Sequence, residues 1–292
     1  MQYKLAELRG IIMGFINDIK QRIRGNLKLK ALHPYGVGWF VDTKQGMFVV
    51  DPRDQIISRK LIKKGAYETG TITCLSKLID HESVVLFIGA HIGTLLVPLA
   101  KIAKHIYAWE ADKYNYKLLK YNTIINGLNN VDVFNFAVGD KDNISIIMKH
   151  DMLNSGHSSI SFGSGDESNS IEMVTIDRNL EAGTKVRLIV MDIEGAEVHA
   201  IRGMANTLKN TDILYTEFSN KFIANLGETC KSFAELLSDH FSCAKIFDES
   251  GSVFYDRKWV DYLASYDSKD EEIVMDIIFT RDPSIIKCLQ FE

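Results

Sequence analysis

The sequence has few cysteines, and none of them is spaced like a metal ligand. Its 292 residues include four cysteines, scattered along the chain without a CxxC pair: Cys74, Cys230, Cys243 and Cys288. A structural zinc site needs closely spaced thiolates or imidazoles, and a disulfide framework needs many cysteines in a short chain. The pattern therefore predicts free thiols in a reducing compartment.

An excess of positive charge and a long apolar run are also missing. The formal net charge is -4, which argues against broad nucleic-acid binding because phosphate contacts need clustered lysine and arginine. No apolar run reaches the ~20 residues that span a bilayer, and no signal peptide is evident. We therefore expect a cytoplasmic protein that does not bind nucleic acid.

What is present is an ordinary globular composition, with 46% apolar and 25% charged residues. The length allows one large α/β domain or one domain with an appendage. We predict that residues 1–80 form an extension with an amphipathic helix, further helical segments and a small hairpin over 36–50. Residues 81–292 are predicted to form the main domain.

The first 30 residues are predicted to form a basic amphipathic helix. They carry seven basic and two acidic side chains, and apolar residues recur at helical spacing: Leu5, Leu8, Ile12, Phe15, Ile16, Ile19 and Ile23. Such a helix can lie on an anionic membrane surface as a peripheral contact. The alternative, which we favour, is that it packs on the body of the protein or on a second subunit.

Beyond residue 80, strand-like and helix-like segments alternate. The strand-like runs include 84–88, 105–109, 131–137, 188–191 and 213–218, with helix-like segments at 94–103, 113–126 and 197–208. This alternation predicts a mainly parallel sheet wound on both faces by helices. A polar stretch over 154–170 is predicted to be a long loop, and such loops are usually functional or mobile.

The most informative stretch is 84–93, where a buried-strand pattern runs into two glycines. Gly89 and Gly93 follow five apolar residues, and glycine lets the backbone turn sharply and approach a ligand closely. The next predicted strand is followed by Glu110. An acid about 20 residues beyond the glycines is placed to accept both hydroxyls of a ribose. The pattern predicts a nucleoside cofactor, with a simple strand–helix corner as the alternative.

Three predicted strands end on acids, namely Glu110, Asp192 and Glu217. Ligands bind beyond the carboxyl ends of such strands, and carboxylates there need a compensating partner. Asp192 and Glu194 alternate on a segment that we expect to be extended, so that both point the same way. Glu197 suits the first turn of a following helix. A Mg²⁺ ion held by Asp192, Glu194 and Glu217 is conceivable, but no histidine is near and we predict no metal site.

These motifs together resemble the class I, S-adenosylmethionine-dependent methyltransferases, and more narrowly the FkbM-type methyltransferases. The segments that carry the resemblance are Val84–Gly93, Trp109–Asp112, Tyr116–Leu119, Asn126–Leu128, Ala137–Asp140, Asp192–Glu197, Arg202–Met204 and Glu217–Phe218. The joint occurrence of Ala-Val-Gly-Asp and Asp-Ile-Glu-Gly-Ala-Glu at this spacing is specific, whereas either motif alone would not be.

The resemblance implies a Rossmann-like α/β fold, with a doubly wound, mainly parallel seven-stranded sheet, and S-adenosylmethionine as the cofactor. Carried over by position, the residues that would cradle its methionine part are Gly89, Ala90, His91 and Gly93. Glu110 would take the ribose hydroxyls, and Ala137 and Asp140 would lie near the adenine. Asp192, at the cofactor, and Glu194 would face the methyl group and the acceptor.

The chain departs from the family pattern at two positions. Phe87 stands where the family usually has Asp, and Val190 stands where it often has Lys. The missing carboxylate would weaken cofactor binding by ~1–3 kcal/mol if one hydrogen bond to a charged group is lost. His91 replaces the usual Asn and is expected to compensate in part.

The implied activity is methyl transfer to a hydroxyl oxygen of a sugar, a glycan or a secondary metabolite. A hydroxyl acceptor benefits from a base that takes its proton, and the candidates are Asp192, then Glu194, then His157 in a predicted lid over 154–161. One alternative is a catalytically weak cofactor-binding or scaffold protein with this fold. The other is an NAD-dependent dehydrogenase, which would need the G-x-G-x-x-G motif that this chain lacks.

Overall fold

The structure is a computed structural model, and it describes residues 36–149, 159–161, 170–247 and 251–289. The chain divides into two compact units, Met1–Tyr67 with Asp151–His157 and Glu68–His150 with Ser158–Glu292. The predicted amphipathic helix over residues 1–30 and the catalytic candidate His157 lie outside the described residues. The domain boundary placed after residue 80 stays a prediction.

The described part of the first unit contains the predicted hairpin. Strand β1 (Trp39–Thr43) pairs antiparallel with β2 (Gly46–Val50). The Thr43 hydroxyl donates to the Gly46 carbonyl at 2.6 Å and closes the turn. Helix α1 (Ile57–Lys64) follows and ends at Gly65, whose φ of 62° is the left-handed conformation in which glycine commonly terminates a helix.

The second unit alternates strands with helices, as predicted. Its strands are β3 (Val84–Ile88), β4 (His105–Trp109), β5 (Val131–Phe134), β6 (Ala137–Val138), β7 (Ile144–Lys149), β8 (Ser159–Ser161), β9 (Ser170–Val174), β10 (Val186–Met191), β11 (Thr211–Ser219), β12 (Cys243–Phe247), β13 (Val253–Phe254) and β14 (Val274–Thr280). Its helices are α2 (Thr69–Ser76), α3 (Leu96–Ala100), α4 (Lys113–Ile125), α5 (Ile176–Asn179), α6 (Glu197–Gly203), α7 (Ala205–Lys209), α8 (Asn220–Asn225), α9 (Cys230–Ser238), α10 (Lys258–Ala264) and α11 (Pro283–Cys288). None of the described helices has the length and apolarity needed to cross a membrane.

The central sheet has the order β13-β12-β14-β11-β10-β3-β4-β5. The strands from β11 to β5 pair in parallel, whereas β14 lies antiparallel between β11 and β12. The predicted mainly parallel, doubly wound sheet is confirmed. The implied number of seven strands is wrong within the described residues, because the two-residue strand β13 adds an antiparallel edge and makes eight.

The chain enters this sheet at its centre and winds outward in both directions. From β3 it continues through β4 to β5 on one side, and it then returns to β10 on the other side of β3. The order therefore reverses between β3 and β10. Ligands of open α/β sheets bind outside the carboxyl ends of the strands at such a point, so the residues that follow β3 and β10 form the expected site.

Both faces of the central sheet are buried, which explains the unbroken apolar runs. In β3, Leu86 and Ile88 pack into one apolar cluster, while Val85 and Phe87 pack into another. Successive side chains of a strand point to opposite faces. A strand that is covered on both sides must therefore be apolar at every position.

A second sheet has the order β6-β9-β7-β8, and two segment predictions are wrong here. The strand predicted over 131–137 is interrupted, because β5 ends in the central sheet and β6 pairs with β9 instead. The stretch 154–170, predicted to be a loop, contributes β8, which pairs with β7. Backbone hydrogen bonds to distant strands override the local polarity of both segments.

Candidate active site

The turn after β3 brings its backbone against the end of β10. Gly89 has a φ of 84°, and a Cβ built on it would lie 1.9 Å from the carbonyl oxygen of Asp192. The Gly89 N–H donates to the Trp109 carbonyl at 2.9 Å, and the Asp192 N–H donates to the Ile88 carbonyl at 3.0 Å. Glycine alone combines this conformation with so close an approach, so Gly89 fixes the backbone at the point where the strand order reverses.

The other residues predicted to cradle the methionine part complete the same turn. Gly93 has a φ of 88° and donates its N–H to the carbonyl of buried Ala90 at 2.9 Å. His91 is left-handed, with a φ of 50°. Among non-glycine residues, Asn, Asp and His adopt this conformation most readily, which explains physically why His is accommodated where the family usually has Asn.

Glu110 is the buried carboxylate of this turn, with 7% of its surface exposed. Its Oε2 accepts the N–H of His91 and its Oε1 accepts the N–H of Asp112, each at 2.8 Å. The Asn135 amide donates to the Glu110 carbonyl at 2.8 Å, which brings the end of β5 alongside. A carboxylate has about four acceptor positions, so these bonds are compatible with a contact to ribose hydroxyls, which stays a prediction.

Ala137 and Asp140, the predicted neighbours of the adenine, belong to the second sheet and its edge. Ala137 is buried in β6 opposite Met173. Asp140 follows β6 and contacts α6, with 3.3 Å between its Oδ2 and Nδ1 of His199. Their contact with an adenine stays a prediction.

The segment after β10 is a turn, so the prediction that Asp192 and Glu194 lie on an extended segment is wrong. The strand ends at Met191, Glu194 is left-handed with a φ of 53°, and Gly195 has a φ of 103°. A Cβ on Gly195 would lie 2.4 Å from the Phe222 carbonyl oxygen. A left-handed non-glycine residue costs about 1–3 kcal/mol, and such residues cluster at functional sites.

Glu197 holds this turn from the start of α6. Its Oε1 accepts the N–H groups of Ile193 and Gly195, each at 3.2 Å. Its Oε2 is buried and has no hydrogen-bond partner among the described residues. Burial raises the pKa of the Glu197 carboxyl, although these hydrogen bonds act in the opposite direction. The sequence predicted a helix-start acid, and the fold adds its contact with the turn.

Asp192, Glu194 and Glu217 bring carboxylate oxygens within 4.8 Å of one another. We call these three residues the acid cluster. Glu217 lies in β11, which runs parallel to β10, so the cluster forms at the carboxyl edge of two neighbouring strands. Glu194 and Glu217 are partly buried, whereas Asp192 is exposed.

Each carboxyl of the acid cluster holds its proton more tightly than an isolated acid does. Burial first, and then the charge of Glu217, raises the pKa of Glu194 to about 8. Burial first, and then the charge of Asp192, raises the pKa of Glu217 to about 9. Enclosure by protein, followed by the charges of Glu194 and Glu197, also raises the pKa of Asp192, although access to water screens part of this effect.

Asp276 and Tyr215 lie beside the acid cluster, and the sequence did not predict either residue as part of the site. Asp276 of β14 stands directly opposite Glu217 of β11. The Tyr215 hydroxyl donates to the Asp276 carboxylate, whose pKa burial raises. The one signal for Asp276 was an acid within an apolar strand-like run. Nothing in the sequence indicated that β14 inserts beside β11.

The two departures from the family pattern, Phe87 and Val190, are neighbours in the core. They are paired across β3 and β10 and are 2% and 4% exposed. Both belong to the same apolar cluster on one face of the sheet. Apolar packing therefore replaces the Asp and Lys of the pattern, and neither side chain supplies a polar contact.

The sheet topology and its acid-lined edge define a Rossmann-like α/β protein of the class I methyltransferase type. The model of the FkbM methyltransferase domain matches residues 88–250, which is more than half of the chain. The chain belongs to this FkbM methyltransferase family. Membership confirms the resemblance and argues against the alternative of an NAD-dependent dehydrogenase.

Individual relatives are more distant. An uncharacterised protein of Methanocaldococcus jannaschii is 32% identical over 79 residues, which are 27% of this chain and 29% of that protein. The methyltransferase FkbM of Methylobacillus flagellatus is 16% identical, with a TM-score of 0.44 over 73% of this chain and 48% of that one. TYW2 of M. jannaschii, solved in complex with AdoMet, is 14% identical, with a TM-score of 0.40 over 83% and 86%.

The donor set of this edge fits S-adenosylmethionine, the cofactor of the family. Glu110 stands at the end of β4, where a ribose-binding acid belongs. Asp192 and Glu194, which are predicted to face the methyl group, follow the neighbouring strand β10. The Oε2 atom of Glu194 is buried without a hydrogen-bond partner among the described residues, so a bound group has an acceptor to satisfy.

Proposed function

We propose that the chain is an S-adenosylmethionine-dependent O-methyltransferase that acts on a hydroxyl group of a sugar, a glycan or a secondary metabolite. The observation that carries this proposal is the acid cluster, whose carboxylate oxygens lie within 4.8 Å of one another. A carboxyl group accepts hydrogen bonds from hydroxyl groups whether it is ionised or protonated. The cluster therefore matches a ligand that is rich in hydroxyl donors.

A hydroxyl acceptor loses its proton during transfer, and the acid cluster supplies a base for it. A base is most effective when its pKa lies near the operating pH. With pKa values of about 8 and about 9, Glu194 and Glu217 bind a proton more strongly than an ordinary glutamate does. We assign the base to Asp192, which directly follows β10, with Glu194 as the second candidate.

The cofactor supplies a methyl group bonded to a positively charged sulfur. We assign residues 89–93 to its methionine part, Glu110 to its ribose, and Ala137 and Asp140 to the surroundings of its adenine. In-line transfer depends chiefly on alignment of the reacting atoms. The close backbone contact between Gly89 and Asp192 contributes to that alignment, because it links the cofactor turn to the proposed base.

A nucleic-acid acceptor is disfavoured by charge. The acid cluster and a net charge of -4 repel phosphates, whereas enzymes that bind RNA or DNA present clustered lysine and arginine. A neutral, hydroxyl-rich molecule meets no such repulsion. RNA is therefore the contrasting acceptor in the test below.

The test is transfer of a labelled methyl group from S-adenosylmethionine to a panel of glycosides and oligosaccharides, with RNA in a parallel assay. We expect the label in a base-stable ether on a carbohydrate or metabolite hydroxyl. Label in RNA, or in a base-labile ester, would refute the proposed acceptor class.

The proposed base is tested with Asp192→Asn. We expect turnover to fall by ~10²–10⁴, while the cofactor dissociation constant from calorimetry changes by less than about threefold. Asp212→Asn, which alters an exposed acid at the other end of β11, is the matched control and should retain turnover. A large loss of cofactor affinity in Asp192→Asn with turnover retained would reverse the assignment.

Phe87 favours a second candidate, a catalytically weak protein that retains the fold. It is 2% exposed and replaces a carboxylate that would help to hold the methionine part. Calorimetry separates the two candidates. Micromolar binding of S-adenosylmethionine or its demethylated product supports the enzyme, and binding of neither supports a scaffold.

A further inference from the structure

In the described part of the chain, no lysine or arginine forms an ion pair with the acid cluster. Glu197 and Asp276 add further negative charge around the cluster. Crowded carboxylates with restricted access to water are stable only when they are paired, hydrogen-bonded, protonated or bound to a cation.

Glu197 adds buried negative charge close to the acid cluster. It is 2% exposed, and its Oε2 has no hydrogen-bond partner in the described part of the chain. Its charge acts on all three residues of the acid cluster. The Oε2 atom of Glu194 is likewise buried without a described partner. Buried polar atoms in native proteins nearly always have partners, so the unpartnered oxygen of Glu194, a member of the cluster, indicates a ligand.

Although the sequence predicted no metal site, we propose that Asp192, Glu194 and Glu217 bind one hard divalent cation. Magnesium lies about 2.1 Å and calcium about 2.4 Å from ligand oxygens, so ligands on opposite sides of one ion are about 4.2 to 4.8 Å apart. The ligand atoms of the cluster lie within 4.8 Å of one another. All three ligands are carboxylates, which favours a hard ion over zinc or copper.

The role of this ion rests on the proposed function. A cation held by these carboxylates would lower the pKa of an acceptor hydroxyl, and Asp192 would take its proton. The acceptor oxygen forms its bond to the methyl carbon as the carbon–sulfur bond breaks, and the electron pair of that bond stays on the sulfur. The ion would also offset two of the three negative charges of the acid cluster.

The test is a Mn²⁺ titration of the full chain, without cofactor or acceptor, followed by the electron paramagnetic resonance signal of free Mn²⁺. We expect one site per chain that Mg²⁺ or Ca²⁺ displaces. Glu194→Gln and Glu217→Gln should each weaken Mn²⁺ binding at least about tenfold, and Asp212→Asn should leave it unchanged. Both Gln variants remove a repelling charge, so thermal melts without metal should show them folded.

Absence of stoichiometric Mn²⁺ binding, or equal binding by Glu217→Gln and the natural chain, would overturn the proposed site. This readout is independent of methyl transfer. A chain that binds Mn²⁺ but transfers no methyl group would refute the proposed function alone, and transfer that is unchanged after chelation would refute the catalytic role of the ion.

Discussion

Substitution of Gly89 by alanine tests whether the close contact between β3 and β10 organises the site. Gly89 has a φ of 84°, and its Cβ would lie 1.9 Å from the backbone oxygen of Asp192. Gly183 is a matched control at the opposite end of β10, because it has a φ of 83° and no atom within 4 Å of its Cβ position. The two substitutions share the conformational penalty and differ in the steric one.

The expected magnitudes follow from these two terms. A left-handed alanine costs about 1–2 kcal/mol, part of which is offset because alanine restricts the unfolded chain more than glycine does. Gly183→Ala should therefore destabilise the protein by about 1 kcal/mol. Ordinary contact begins at 3.4 Å, so Gly89→Ala must open the backbone by about 3.4 - 1.9 = 1.5 Å. Overpacking of this kind adds about 1–3 kcal/mol.

The assay combines urea unfolding with calorimetric titration of S-adenosylmethionine. Gly89→Ala should have the lower unfolding free energy and should bind the cofactor at least about tenfold more weakly, while Gly183→Ala keeps the natural affinity. If both variants unfold within about 0.5 kcal/mol of each other and bind the cofactor equally, the contact between Gly89 and Asp192 does not organise the site.

Three other changes have defined outcomes. Glu110→Gln should lower the free energy of unfolding in urea by about 1–3 kcal/mol and should weaken cofactor binding. Glu181 is exposed, so the control Glu181→Gln should change that free energy by less than about 0.5 kcal/mol. Because the pKa values of Glu194 and Glu217 rise from 4.5 to about 8 and about 9, the folded chain binds more protons than the unfolded chain. The two glutamates therefore contribute fully to stability below pH 4.5. This contribution is lost as the pH rises through their folded-state pKa values of about 8 and about 9. Urea titrations across that range should show a shallower decline in Glu217→Gln. Phe87→Asp should lower the free energy of unfolding by more than about 3 kcal/mol. A stable variant that binds the cofactor more tightly would contradict the conclusion that position 87 lies in the apolar core.

The fold class and the positions of Gly89 and Glu110 at the sheet edge were predictable because they depend on local chemistry. The buried strand β3 and the turn at Gly89 follow from apolar runs and from the conformational freedom of glycine. Glu110 was predictable because the carboxyl ends of adjacent parallel strands meet at one edge. Each of these signals lies within a short stretch of the chain.

The orientation of the acids was less predictable. The sequence placed Asp192 and Glu194 on an extended segment, but the backbone turns after Met191 and Glu194 becomes left-handed. Gly195 permits this turn, and the approach of Phe222 requires it. A contact with a residue so distant in sequence leaves no periodic signal.

By itself, the sequence determined the alternation of strands and helices, the family and the list of strand-end acids. Only the tertiary structure decided that Glu217 joins Asp192 and Glu194 and that Asp276 lies opposite Glu217. It also decided that Glu197 accepts hydrogen bonds from the backbone of the turn. The physical reason is that side-chain periodicity is local, whereas strand order depends on burying two complete sheet faces at once. The proximity of these acids, and the raised pKa values that result from it, therefore arise only when the chain has folded.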